Sequence, residues 1–109
     1  MIEPEDSLLD LLCTAIVGLV RREQPDLSTR QLAVFLTCYL QDDTHTVRGL
    51  AARLGIPKAS VTRALDRLQK SDLTRRRTDE RDRRSVLVAR TIKGAAFLQS
   101  LQKDIVTNA

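Results

Sequence analysis

Between Thr78 and Arg84 three guanidinium groups, Arg81, Arg83 and Arg84, alternate with three carboxylates, Asp79, Glu80 and Asp82. Upstream, one short stretch gathers Lys58, Ser60, Thr62, Arg63, Arg67 and Lys70. Guanidinium and ammonium groups hold phosphates, arginine also matches the O6 and N7 acceptors of guanine, and short hydroxyls touch base edges or a thymine methyl. The chemistry within reach is therefore recognition of a polyanion. Catalysis is not: the single histidine, His45, stands in a polar break without an Asp, Glu or Cys constellation, and no Ser-His-Asp set, P-loop or glycine-rich nucleotide signature occurs. His45 is expected to be exposed or near a phosphate. One histidine and two cysteines without CxxC spacing leave no metal site, and nothing calls for a cofactor.

The charge is segregated along the chain. Residues 1–47 carry three arginines against eight carboxylates, net −5, whereas residues 48–90 carry thirteen basic and five acidic residues, net +8. Such a molecule orients itself in the field of nucleic acid. With 109 residues, 42% of them hydrophobic and only 3% aromatic, the chain suits one domain with a core of Leu, Val, Ile and Ala, hence packed helices. Cys13 and Cys38 sit in apolar runs, which fits the thiols of a reducing cytoplasm. The apolar run from Leu8 to Val20 is interrupted by Asp10 and too short to span a bilayer, so no membrane association is expected.

The elements that must position the basic residues follow from periodicity and caps. A helix from Ser7 to Glu23 has apolar residues on more than one face and ends before Pro25, so residues 7–24 want partners on several sides. Ser28 and Gln31 form a capping box for a second helix through Leu40. Thr46 caps a third, ended by Gly55, and Pro57 suits the first turn of a fourth running from Lys58 to about Ser71. Ala51, Gly55 and Val61 have the spacing of a helix-turn-helix: a small residue at the crossing, a glycine in the turn, a wedge into the core. Residues 46–71 form that unit. With Val61, Leu65 and Leu68 inward, Lys58, Ser60, Thr62, Arg63, Asp66, Arg67 and Lys70 face out as a reading surface. Residues 72–90 form a hairpin with strands at Leu73–Arg77 and Ser85–Arg90, Asp79 and Asp82 stiffening its turn so that an arginine is free to reach a minor groove. Thr91 caps a last helix over 91–107.

The run from Thr46 to Gly94 resembles the MarR family of bacterial regulators. The resemblance rests on the wing pattern Asp79, Arg81, Asp82, Arg84 and on the stretch Val61-Thr62-Arg63-Ala64-Leu65-Asp66-Arg67-Leu68. It implies a mainly α winged helix-turn-helix fold with a small β-hairpin wing. It further implies a homodimeric, cytoplasmic regulator of transcription, nucleoid-associated when bound, usually a repressor, whose partner is double-stranded DNA. Arg83 becomes the wing-tip arginine of the minor groove, braced by Asp82 and Arg84. The alternative is a winged helix used as a protein-interaction module or a shortened paralogue that pairs with a partner regulator; exposed arginines in place of aromatic anchors argue against it.

Two departures stand out. Relatives continue into a longer C-terminal dimerisation region, so dimerisation here is expected to use the N-terminal helix with Leu98, Leu101, Ile105 and Val106. Arg90 stands where an apolar residue is usual and is expected to add charge near the wing base. A short C-terminus and few aromatics leave little material for a small-molecule effector pocket. Some relatives sense peroxide through a cysteine in the first helix helped by tyrosine, which makes Cys13, with Tyr39, the redox candidate; its neighbours Leu11, Leu12, Ile16 and Val17 predict instead a buried, unreactive thiol, and Cys38 is expected in the core.

Overall fold

The computed structural model describes residues 4–22 and 25–108. Five helices and three short strands follow one another: α1 (Pro4–Arg21), α2 (Thr29–Leu40), β1 (His45–Thr46), α3 (Val47–Leu54), α4 (Lys58–Lys70), β2 (Thr74–Thr78), β3 (Val86–Arg90) and α5 (Ile92–Asn108). The expected end of the first helix, Glu23, lies outside the described residues together with Gln24. The chain divides into two units, residues 27–95 and the pair of segments 1–26 and 96–109.

In the 27–95 unit the local signals act as capping chemistry requires. Ser28 Oγ accepts from the Gln31 amide and Gln31 Oε1 accepts from the Ser28 amide, satisfying two of α2's first N–H groups. Thr46 caps α3 through the Gly49 amide at 2.9 Å. Gly55 ends α3 at φ 66, where a side chain would be strained. Pro57 stands one position earlier than expected, as the N-cap, and its carbonyl accepts from the Ser60 and Val61 amides. Thr91 Oγ1 accepts from the Gly94 amide and opens α5.

The core is aliphatic around one aromatic pair. Val34, Phe35, Leu50, Val61, Leu65, Leu68 and Leu73 are all essentially inaccessible, and the Phe35 and Tyr39 rings lie 4.5 Å apart. The Tyr39 hydroxyl donates to the Leu73 carbonyl at 2.6 Å and accepts from the Thr91 amide at 2.9 Å, joining α2, the start of β2 and the start of α5. Gly94 lies against that hydroxyl and the Leu73 carbonyl so closely that no β-carbon fits.

The sheet runs β1-β3-β2, antiparallel throughout, with His45 opposite Val88 and Thr74 opposite Arg90. The hairpin matches the expectation within a residue at its strand starts. The third strand was not foreseen, and with it His45 moves: it is buried, and its Nε2 sits 3.0 Å from the Gln41 carbonyl. The exposed, phosphate-near histidine is thus corrected; strand pairing to β3 turns it inward.

In the other unit, Arg22 closes the end of α1 onto α5. Its guanidinium donates to Asp104 at 2.6 Å and to Ser100, and lies 5.6 Å above the Phe97 ring. Elsewhere on α1 several large apolar side chains are uncovered: Leu8 is 67% exposed, Leu12 56% and Val20 77%. Among the described residues no helix is long and apolar enough to cross a membrane.

Candidate nucleic-acid interface

The α4 helix is amphipathic, with Val61, Ala64, Leu65 and Leu68 as its buried stripe. Stepping 100° per residue, Thr62, Asp66, Lys70 and Arg63 fall opposite that stripe and are exposed, as is Lys58 at the helix start. Ser60 does not belong to this face. It lies on the shoulder beside Ala64, is buried, and its hydroxyl accepts from Arg63 Nη2 at 3.2 Å. Ser60 thus braces Arg63 in the free chain. Arg67 is half-buried and folds back to donate to Ser71 Oγ at the end of the helix.

Asp66 pairs with Arg76 of β2 at 2.6 Å, a contact Arg76 reinforces through Gln69 Oε1 at 3.2 Å. The pair ties α4 to the root of the hairpin, and Lys70 is exposed with no ion pair among the described residues.

At the hairpin tip the carboxylates do what their spacing predicts. Asp79 Oδ1 accepts from the Arg81 amide and Asp82 Oδ1 from the Arg84 amide, while main-chain bonds between Asp79 and Ser85 and between Ser85 and Asp82 close the turn. Asp82 also holds Arg84 loosely, at 3.7 Å. Arg81 and Arg83 are exposed and have no ion pair among the described residues. The tip is thus ordered by its acids and armed by its bases. Arg77, exposed on β2 and equally unpaired, was missed, although its place in the basic run Arg75-Arg76-Arg77 marks it.

Arg90 proves to be a cap. Its Nε donates to the Cys38 carbonyl at 2.8 Å and an Nη to the Gln41 carbonyl at 3.2 Å, at the end of α2, and it stands 5.6 Å over the Tyr39 ring. The charge of this position thus satisfies orphan carbonyls instead of simply adding to the wing.

A scan against family models matches residues 26–85, more than half of the chain, to the MarR family. The chain belongs to the MarR family. Members of the MarR family are transcription regulators, not enzymes, and this chain is a regulator of that type with the winged helix fold. No curated protein sequence matches it. Among solved structures, a variant of MepR from S. aureus superposes with a TM-score of 0.74 at 22% identity, covering 93% of this chain and 72% of that one. Reduced AbfR bound to DNA gives 0.69 at 19% identity, covering 96% and 83%. CouR from Rhodococcus jostii, solved with p-coumaroyl-CoA, gives 0.65 at 24%, covering 93% and 66%.

The expectation that a sizeable effector pocket is doubtful finds no support in these comparisons. Along one side of α1, residues including Asp10, Leu11, Cys13, Thr14 and Arg21 border an open surface groove.

The expected burial of Cys13 also needs correction. Cys13 is exposed, as are its neighbours Leu11, Leu12, Ile16 and Val17. The tyrosine named as its helper is unavailable, since the Tyr39 hydroxyl is committed to Leu73 and Thr91. Cys38 is buried as expected, and burial pushes its thiol from 9.0 up to about 11, with Arg90 pulling the other way. The fold thus favours neutral Cys38, a preference complete below pH 9 and lost as the pH rises toward 11. A thiol reagent at pH 7.5 is accordingly expected to leave Cys38 unmodified in the native protein and to reach it only on denaturation. Peptide mapping by mass spectrometry checks this; rapid native labelling of Cys38 would contradict its placement.

Proposed function

We propose that this MarR-family regulator binds a specific pseudo-palindromic duplex as a homodimer, α4 of each subunit lying in a major groove and each wing in the flanking minor groove. Half-sites would stand about ten base pairs apart. Occlusion of a promoter makes the protein a repressor, acting in the cytoplasm at the nucleoid.

The observation that carries this reading is the division of labour at the wing: Asp79 and Asp82 accept from turn amides, while Arg81 and Arg83 are exposed and have no ion pair among the described residues. A narrow minor groove focuses negative potential on such a side chain. On α4, Arg63 is the guanine reader and Thr62 the shorter base-edge contact, with Lys58 on a phosphate. Arg67, turned to Ser71, supports the helix end in the free protein and has to release that bond to reach DNA. Arg84 and Asp82 hold the wing.

Fluorescence anisotropy on a selected duplex and on an unrelated one separates the roles. Arg63→Ala is expected to lower affinity for the selected duplex by about 10- to 100-fold and to erase much of the preference between the two. Arg83→Ala is expected to weaken both by similar factors. If Arg63→Ala leaves the preference intact, α4 is not the reading element.

A further inference from the structure

Two strands of the wing sheet are tied to the end of α2 through one carbonyl. Gln41 O accepts from Arg90 Nη2 at 3.2 Å, and His45 Nε2 lies 3.0 Å from the same oxygen. His45 belongs to β1 and Arg90 closes β3, strands that pair with each other. Arg90 reaches further along α2: its Nε donates to the Cys38 carbonyl at 2.8 Å and its guanidinium stands 5.6 Å over the Tyr39 ring. A planar fork with two donors on two main-chain acceptors fixes direction as well as distance. Because β3 is the middle strand in the order β1-β3-β2, whatever holds its end holds both neighbours. The second tie, Arg76 on Asp66 of α4, ends on a carboxylate that is 60% exposed, and surface pairs of that kind add little rigidity. Asp42, 3.8 Å from Arg90 and fully exposed, adds less.

We propose that Arg90 is a positioning residue for the wing: by fastening the end of β3 to the end of α2 it aims the hairpin tip, and with it Arg83, at the minor groove, while touching no DNA itself. This rests on the duplex-binding reading above and adds to it the residue that sets the wing's direction. The lever is long enough to matter. The five residues Val86–Arg90 span about 17 Å, so a swing of about 10° at Arg90 carries the tip through about 3 Å, the length of a hydrogen bond.

The test compares wild type with Arg90→Leu, which reaches neither carbonyl, and Arg90→Lys, whose single ammonium reaches one. The Arg90 side chain is 46% exposed, so the freed carbonyls turn to water and the fold is kept. In the free protein, hydrogen exchange read by mass spectrometry is expected to quicken about tenfold at the β2 and β3 amides of Arg90→Leu, less in Arg90→Lys, and not at all in α4. On a selected duplex, Arg90→Leu should bind about tenfold more weakly with its sequence preference intact, and Arg90→Lys should recover part of the loss. Measured in an Arg83→Ala background, where the wing-tip contact is already gone, the loss should shrink to about twofold or less, whereas in an Arg63→Ala background it should stay near tenfold. Equal losses in both backgrounds would mean that Arg90 touches DNA or acts on the whole unit, and unchanged exchange in β2 and β3 would mean that it does not hold the wing; either result overturns the proposal while the α4 reading stands. If wild type binds no duplex, the duplex-binding reading has failed and the aiming role with it, whatever the exchange experiment shows.

Discussion

Replacing Gly94 with alanine is expected to cost about 3–5 kcal/mol of stability, although on helix propensity alone the change would gain up to about 1 kcal/mol. The reason is steric and polar at once. A β-carbon at Gly94 falls on the Tyr39 hydroxyl and the Leu73 carbonyl. The carbonyl belongs to the backbone entering β2 and cannot retreat, so the ring must move, and the Leu73 carbonyl and Thr91 amide then lose the hydroxyl that serves them both. For a domain of this size the loss corresponds to a melting temperature lower by roughly 15–30 °C, which a thermal melt followed by circular dichroism would read. Tyr39→Phe supplies the control. Alone it destabilises, by about 1–3 kcal/mol, but in the Gly94→Ala background it removes the nearest of the clashing atoms and is expected to restore part of the loss. A more stable Gly94→Ala protein would mean that α2 and the start of α5 do not approach this closely.

Leu12→Glu is expected to break the proposed dimer into monomers and to lower affinity for a palindromic duplex by about 10²- to 10⁴-fold, the advantage that linking two half-site contacts provides. Leu8, Leu12 and Ile16 recur every four residues on α1 and are 67%, 56% and 45% exposed, more uncovered apolar surface than a lone helix keeps in water without a partner. The C-terminal residues named for the same interface divide. Val106 is exposed, Leu98 and Ile105 are half-buried, and Leu101 is already buried within the chain and has little to give a partner. Size-exclusion chromatography with light scattering distinguishes the states. The same variant should also label faster at Cys13, which a partner's α1 would otherwise cover. A Leu12→Glu protein that remains dimeric, with its DNA affinity unchanged, would move the interface elsewhere.

Much of this was legible in the sequence because the deciding signals are local. The Ser28–Gln31 box, the Thr46 and Thr91 caps and the left-handed Gly55 are set by chemistry within four residues, and the structure has each in place. The acids of the wing turn were equally local. What escaped depends on contacts distant in sequence. The strand β1 is two residues long and has no periodicity to detect; it exists because β3 offers an edge, and His45 is buried for the same reason. Ser60 was placed outward because helical phase alone leaves a residue on the shoulder undecided, and its neighbours turned it in. Arg90 looked like an addition to the wing's charge, yet its partners are carbonyls at the end of α2, some fifty positions earlier. Cys13 shows the opposite error: an apolar run implies a covering surface, but not that the chain itself provides it.

The measurement that tests the central claim most directly is the salt dependence of wild-type binding to double-stranded DNA, followed by anisotropy from about 50 to 200 mM salt. Binding through the α4 face and the wing of two subunits neutralises roughly six or more phosphates, so the logarithm of the affinity should fall with a slope of about −5 or steeper and the affinity by about 10³-fold or more across that range. No binding to any duplex at the lowest salt, or binding whose strength does not change with salt, would contradict the assignment of this basic surface to DNA.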